Sequence, residues 1–251
     1  MIDPVLFQIG PLQIRYYGIL YALAFLVGYF ILKKLAPKFK IKEQIIEDYL
    51  PWIIILDIVG ARLFEVLFYN PSYYISNPLK IFAIWEGGLA SHGAIIAIIL
   101  GTYYFCKKRN LSFYNFTDLL AIPVALGASF IRIGNFLNSE LVGKITDVPW
   151  AVKFLGYEGL RHPVQLYQSL GHIIIFLILL SITKIKDRKE GLIFWALLFL
   201  DSLLRFITEF FKDLPLDYGL FLFGLNLAQW LSILIMLISI FPLYKRIKTY
   251  L

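Results

Sequence analysis

The sequence predicts an all-α polytopic membrane protein with seven transmembrane helices, the N-terminus outside, the C-terminus cytoplasmic and a small extracytoplasmic head element. Three observations carry this. Hydrophobic residues make up 59% of the 251 and charged residues only 16%, against about 45–50% and about 25% in soluble domains. Apolar runs near the roughly 20 residues needed to span a bilayer recur seven times. Lysine and arginine gather on one side of those runs. Too few charges remain for a soluble shell, and intrinsic disorder is excluded by the same numbers. The net charge of +7 lies in short clusters between apolar runs, which is a topology signal and not a nucleic-acid surface.

The segment 1–15 is mildly apolar with two prolines and is expected to lie along the outer interface. The spans follow at 16–32, 46–68, 89–106, 116–137, 164–183, 192–211 and 225–244. The first lies between Arg15 and the pair Lys33 and Lys34 and lacks a small-residue cleavage site, so it is expected to remain a span. Segments 33–43, 107–109, 184–190 and 245–251 hold fifteen of the 24 Lys and Arg, and the intervening side holds six. The rich side is therefore cytoplasmic. Of the outside segments, 69–88 and 138–163 are long. The second contains Gly143, Pro149, Gly156, Gly159 and Pro163 and reads as a turn-rich head element within a single integral membrane domain, 1–251.

The remaining three arginines, Arg62, Arg132 and Arg205, lie inside spans. Charge inside a bilayer is costly and marks function. All three fall in the outer halves of their helices. Tyr17 and His92 sit at outer helix starts, and Asn135, Asn138, Glu140, Arg161 and His162 lie at or beyond the outer boundary. The expectation is a polar cavity open to the outer leaflet, with guanidinium forks suited to phosphate. Local ion pairing is the alternative for Arg62 with Glu65 and for Arg205 with Glu209, three and four residues apart. Arg132 has no such carboxylate, shares a face with Asn135 and is followed by Gly134. At the fifth span Pro163 suits a first turn, while Gln165 and Tyr167 are placed to hold a headgroup or one another. His92 reads either as a packed side chain or as a proton acceptor. His172 reads as structural, Asp118 as favouring a helix start, and Asp57 and Asp201 as arginine partners or cavity lining. One cysteine, Cys106, excludes an internal disulfide, and with three histidines no metal centre is expected.

Taken together, Tyr16-Tyr17-Gly18, Gly60-Ala61-Arg62, Glu86-Gly87-Gly88 with Ser91-His92-Gly93, Arg132-Ile133-Gly134-Asn135-Phe136-Leu137-Asn138-Ser139-Glu140, Pro149-Trp150-Ala151, Arg161-His162-Pro163-Val164-Gln165-Leu166-Tyr167, and Arg205 with Glu209-Phe210-Phe211 resemble the bacterial prolipoprotein diacylglyceryl transferases, in order and spacing, over nearly the whole chain. The resemblance implies a seven-span transferase of the bacterial cytoplasmic (inner) membrane, its active site facing the outer leaflet. Such an enzyme moves the diacylglyceryl group of phosphatidylglycerol to the lipobox cysteine of a prolipoprotein signal peptide and releases glycerol phosphate, with no cofactor. Tyr17, His92, Arg132, Asn135, Glu140, Gly143 and Arg205 match positions the family uses. On this reading His92, Arg132, Arg205, Glu140 and Tyr17 are expected to be catalytic, and Arg62, Asn135, Asn138, Gly143, His162, Gln165, Tyr167 and Glu209 to bind substrate. Glu65 and Asp201 stand where the family carries uncharged residues. The other readings are a divergent member using another lipid or thiol, and a lipid-binding or transport protein.

Overall fold

The computed structural model describes residues 4–10, 12–213 and 222–248. The chain opens with β1 (Val5–Ile9) and β2 (Leu12–Arg15). The α-helices that follow are α1 (Tyr16–Leu35), α2 (Glu43–Phe64), α3 (Pro71–Ser76), α4 (Ser91–Lys108), α5 (Phe113–Leu137), α6 (Val164–Ile182), α7 (Leu192–Glu209) and α8 (Leu227–Ile247). Among the described residues each expected span overlaps a long helix, the second ending earlier than expected, at Phe64. α1 with its short extension to Phe39, α5, α6 and α8 are long and apolar enough to cross a membrane. α2 and α7 carry internal charges, and α4 begins on Ser91-His92 and ends on Lys107-Lys108, which shortens its apolar centre. Exposed leucine, isoleucine and phenylalanine run along the helices, among them Leu26, Phe30, Leu100, Leu170, Leu237 and Phe241. Contiguous apolar surface of this kind fits lipid and not water.

The helices group into two compact units, residues 1–35 with 117–251, and residues 36–116. In the first, β1 and β2 form an antiparallel hairpin with Phe7 opposite Ile14 and Gln8 opposite Gln13. The N-terminal stretch thus has regular structure that its apolar composition did not signal, although residues 1–3 and 11 of it, like 249–251 of the basic tail, lie outside the described residues. α7 packs against both α6 and α8. Asp118 was expected to favour a helix start, and the helix it serves is α7: its buried carboxylate accepts the backbone N–H groups of Gly191 (2.8 Å) and Phe194 (2.7 Å), with Arg188 at 3.5 Å. It therefore satisfies two of the orphan donors at the start of α7, a tertiary cap. α8 starts at Leu227 because Asn226 and Gln229 exchange side-chain and backbone hydrogen bonds (2.9 and 3.0 Å) as a capping box.

In the second unit α2 packs on α4. Tyr49 is its buried centre, with its hydroxyl 2.6 Å from that of Thr102 and its ring edge-on to Phe105 and Phe116. α2 passes into a π-helical turn, Glu65–Tyr69, and then α3 and two short 3-10 turns, Pro78–Phe82 and Ile84–Glu86.

Candidate functional site

The first unit carries most of the expected site, assembled around the end of α5. Ser139 and Leu141 adopt positive φ (56° and 54°), which turns the chain back so that the Glu140 N–H reaches the Asn135 carbonyl at 2.9 Å. Arg132 Nη1 donates to Asn135 Oδ1 (3.3 Å) and Asn135 Nδ2 to Glu140 Oε2 (2.9 Å). Asn138 Nδ2 donates to Glu140 Oε1 (3.2 Å), and Gln165 Nε2 to the Glu140 carbonyl (2.5 Å). Glu140 is thus the hub that joins α5 to the start of α6. Two acceptors on this hub, Asn138 Oδ1 and Gln165 Oε1, are buried with no partner among the described residues, although Gln165 is only 1% exposed. Unsatisfied buried acceptors are costly, so each points to a donor such as a ligand hydroxyl or water.

Arg132 is half-buried and lies within electrostatic reach of Arg205, Asp201, Tyr17 and Glu209. Arg205 is exposed, and its guanidinium makes no hydrogen bond or ion pair with a described residue. The alternative pairing with Glu209 does not form among the described residues. Glu209 is buried against Lys212, with Nζ to Oε1 at 3.5 Å. Lys212 also feels Arg205 and Arg132. Its ammonium pKa is held below the ordinary lysine value by burial, with the two arginines adding to the effect and Glu209 opposing it. Three cations in mutual reach repel one another, and an anion among them removes that cost. Tyr17 lies on the bare backbone of α5 at Gly134. A Cβ there would come within 2.7 Å of Tyr17 Cδ2, so the glycine is what admits the ring beside Arg132.

Gly143 sits in a stretch stitched to the end of α7. Its N–H donates to the His162 carbonyl (3.1 Å), Lys144 N–H to the Phe211 carbonyl (2.9 Å) and Asp213 N–H to the Val142 carbonyl (3.0 Å). Arg161 Nη1 reaches Asp213 Oδ2 (2.5 Å) and the Gly143 carbonyl (3.1 Å). A Cβ on Gly143 would meet the His162 Cβ at 2.6 Å and Val164 Cγ2 at 2.8 Å. This pairing fixes Lys212, which the sequence reading counted only as a loop charge. Its signal was spacing: it lies three residues after Glu209 and seven after Arg205, close to one helical face. His162 and Tyr167 hold one another, Nδ1 to hydroxyl at 3.1 Å, while Trp150 Nε1 donates to the same hydroxyl at 2.7 Å.

Arg62 and His92 belong to the second unit. The sequence reading places Arg62 with the headgroup; in the structure its guanidinium is taken up by backbone carbonyls. Its Nε donates to the Ile81 carbonyl (2.9 Å), Nη1 to Gly87 (2.6 Å) and Gly88 (3.0 Å), and Nη2 to Lys80 and to Ala83 (3.2 Å). All five guanidinium protons are engaged, and the group also lies over the Tyr74 ring. Arg62 organises the 80–88 loop and has no donor left for a phosphate. His92 is exposed; its Nδ1 lies 3.1 Å from the Tyr69 hydroxyl, and its Nε2 meets no described residue. Tyr69 was not singled out in the sequence because a tyrosine at a span boundary is common.

The family model for prolipoprotein diacylglyceryl transferase matches residues 4–245. The chain belongs to this family. The phosphatidylglycerol–prolipoprotein diacylglyceryl transferase of Geobacter sulfurreducens is 39% identical, over 92% of this chain and 90% of its own length. The proteins of the same name from Tolumonas auensis (40%; 92% and 90%) and Chloroherpeton thalassium (38%; 98% and 93%) are similar. Against the pattern of the diacylglyceryl transferase family, the two extra carboxylates now have partners. Glu65 accepts from Asn70 Nδ2 at 2.7 Å, and Asp201 Oδ1 lies 2.9 Å from His172 Nε2. Neither forms an ion pair with an arginine among the described residues.

Proposed function

We propose that this membrane transferase moves the diacylglyceryl group of phosphatidylglycerol onto the thiol of a lipobox cysteine in a prolipoprotein, the first step of lipoprotein maturation. The sulfur forms a bond to the glycerol carbon that carries the phosphate. The C–O bond breaks, its electron pair leaves on the phosphate oxygen, and glycerol phosphate departs. The single observation that carries this reading is the convergence of Arg132, Arg205 and Lys212. Charge builds on the leaving phosphate, and preorganised cations in a low-dielectric site stabilise it. Glu140, with the open acceptors of Asn138 and Gln165, suits the headgroup glycerol hydroxyls. Glu140 also holds Asn135, and through it the Arg132 fork. Tyr17 lines the site, Gly143 and the His162–Tyr167 pair support it, and Glu209 places Lys212. The thiolate is the nucleophile, so the thiol gives up its proton to a base before attack; within the second unit, the His92 imidazole, with Nδ1 held by the Tyr69 hydroxyl, is a group of the chemistry that accepts such a proton. In this reading all seven long helices cross the bacterial inner membrane, the head element 138–163 is extracytoplasmic, and lipid is drawn from the outer leaflet.

The test incubates membranes with headgroup-distal labelled phosphatidylglycerol and a lipobox peptide. Label on the peptide cysteine is expected. Lipid turnover without peptide label would instead indicate another acceptor, and binding without turnover a lipid-binding protein.

A pH effect follows from Lys212. Its charged form is disfavoured, so it loses its proton below the ordinary lysine value of 10.5. Binding of glycerol phosphate should therefore weaken as pH rises through the window below 10.5, and Lys212→Met should bind more weakly but without that alkaline limb. The sign for stability is opposite: burial of the charge opposes folding at lower pH and is relieved as pH rises through the same window. Titration calorimetry and thermal melts read the two effects separately.

A further inference from the structure

His172 and Asp201 form a hydrogen-bonded pair that the reaction above does not use, the histidine buried and the aspartate side chain 47% exposed. His172, on α6, has a side chain only 7% exposed. Its Nδ1 lies 2.7 Å from the Gln168 carbonyl, which can only accept, so Nδ1 bears a proton. Its Nε2 lies 2.9 Å from Asp201 Oδ1 on α7. The contact occupies one carboxylate oxygen of Asp201 and ties that side chain to α6. Without His172, Asp201 is a bare carboxylate. It lies one helical turn before Arg205 on α7 and within electrostatic reach of Arg132. The other groups around this point are already matched: Glu209 faces Lys212, and Gln168 Nε2 donates to Thr208 Oγ1 at 3.0 Å.

We propose that His172 is a positioning residue that holds the Asp201 carboxylate by this hydrogen bond and so keeps Arg132 and Arg205 available to an anionic phosphate. The proposal rests on the phosphate role of those arginines. It accounts for how this chain carries a carboxylate at 201 beside two arginines without neutralising them. The histidine is the compensation, and it comes from the neighbouring helix.

The experiment is a double-mutant cycle on the full chain in membranes, with abundance and melting temperature recorded for each variant. His172→Ala is expected to raise the KM for phosphatidylglycerol by about tenfold, with a smaller effect on kcat. Asp201→Asn alone is expected to stay near the parent, and His172→Ala with Asp201→Asn to recover most of the lost KM. A merely structural histidine predicts the reverse, with the double variant no better than His172→Ala. That result, an unchanged KM in His172→Ala, or an Asp201→Asn as impaired as His172→Ala would each overturn the proposal. Binding of glycerol phosphate is measured on the same four proteins. If the parent binds the anion but transfers nothing to a lipobox peptide, the acceptor reading fails, while the cycle in anion affinity still decides the role of His172.

Discussion

Replacing Arg132 with alanine is expected to lower diacylglyceryl transfer by at least ~10²-fold, the scale of removing one preorganised donor from a developing oxyanion, while the chain still accumulates in the membrane. The two halves of that expectation come from different observations. Arg132 makes one side-chain hydrogen bond among the described residues, to Asn135, and Asn135 keeps its second bond to Glu140 when the guanidinium is removed. Truncation therefore leaves no stranded network. Repulsion from Arg205 is relieved at the same time, so stability should hold or rise slightly. Arg205→Ala should behave alike, since its exposed guanidinium supports no other described group. Arg132→Lys should retain part of the activity, because the charge persists but the planar two-pronged donor set does not. Transfer of labelled lipid, normalised to protein in the membrane, checks all three. Near-normal activity of both alanine variants, or activity lost only in proportion to protein, would remove the phosphate role.

The distribution of what the sequence revealed has a physical pattern. The starts of α1, α6 and α7 were legible because Arg15, Pro163 and Gly191 punctuate the apolar runs at those points. The end of α2 was not. Apolar residues continue to Phe68, but the hydrogen bonding changes to a π-helical turn after Phe64, and a count of apolar side chains does not register that switch. Arg132, Asn135 and Glu140 were legible as a site because they fall within nine consecutive residues of the chain. Lys212 was not, because its place depends on backbone pairing of Lys144 and Asp213 with residues 211 and 142. His172 was read as structural because it stands alone on an apolar helix, and its partner on another helix was not legible. Arg62 shows the limit most sharply. By depth it looks like Arg132 and Arg205, and what separates them is a set of backbone carbonyls, which carry no sequence identity.

That difference gives Arg62 an expected phenotype opposite to that of Arg132. Arg62→Ala should leave little folded protein. Its removal strands the carbonyls of Lys80, Ile81, Ala83, Gly87 and Gly88, at about 1–3 kcal/mol for each that stays buried without a donor. Even two or three such losses are comparable with the roughly 5–15 kcal/mol by which whole domains are stable. Lysine should rescue poorly, since an ammonium has three donors where five are used. The 80–88 loop presents Phe82 and Trp85, exposed at 73% and 79%, beside the start of the His92 helix. Its release should therefore appear first as proteolysis between residues 76 and 90 and as a lower melting temperature in detergent. Limited proteolysis with mass mapping, run beside the Arg132→Ala protein, distinguishes the two. An Arg62→Ala chain that melts and resists cleavage like the parent, yet has lost only its affinity for lipid phosphate, would return Arg62 to the headgroup and overturn its assignment to the loop.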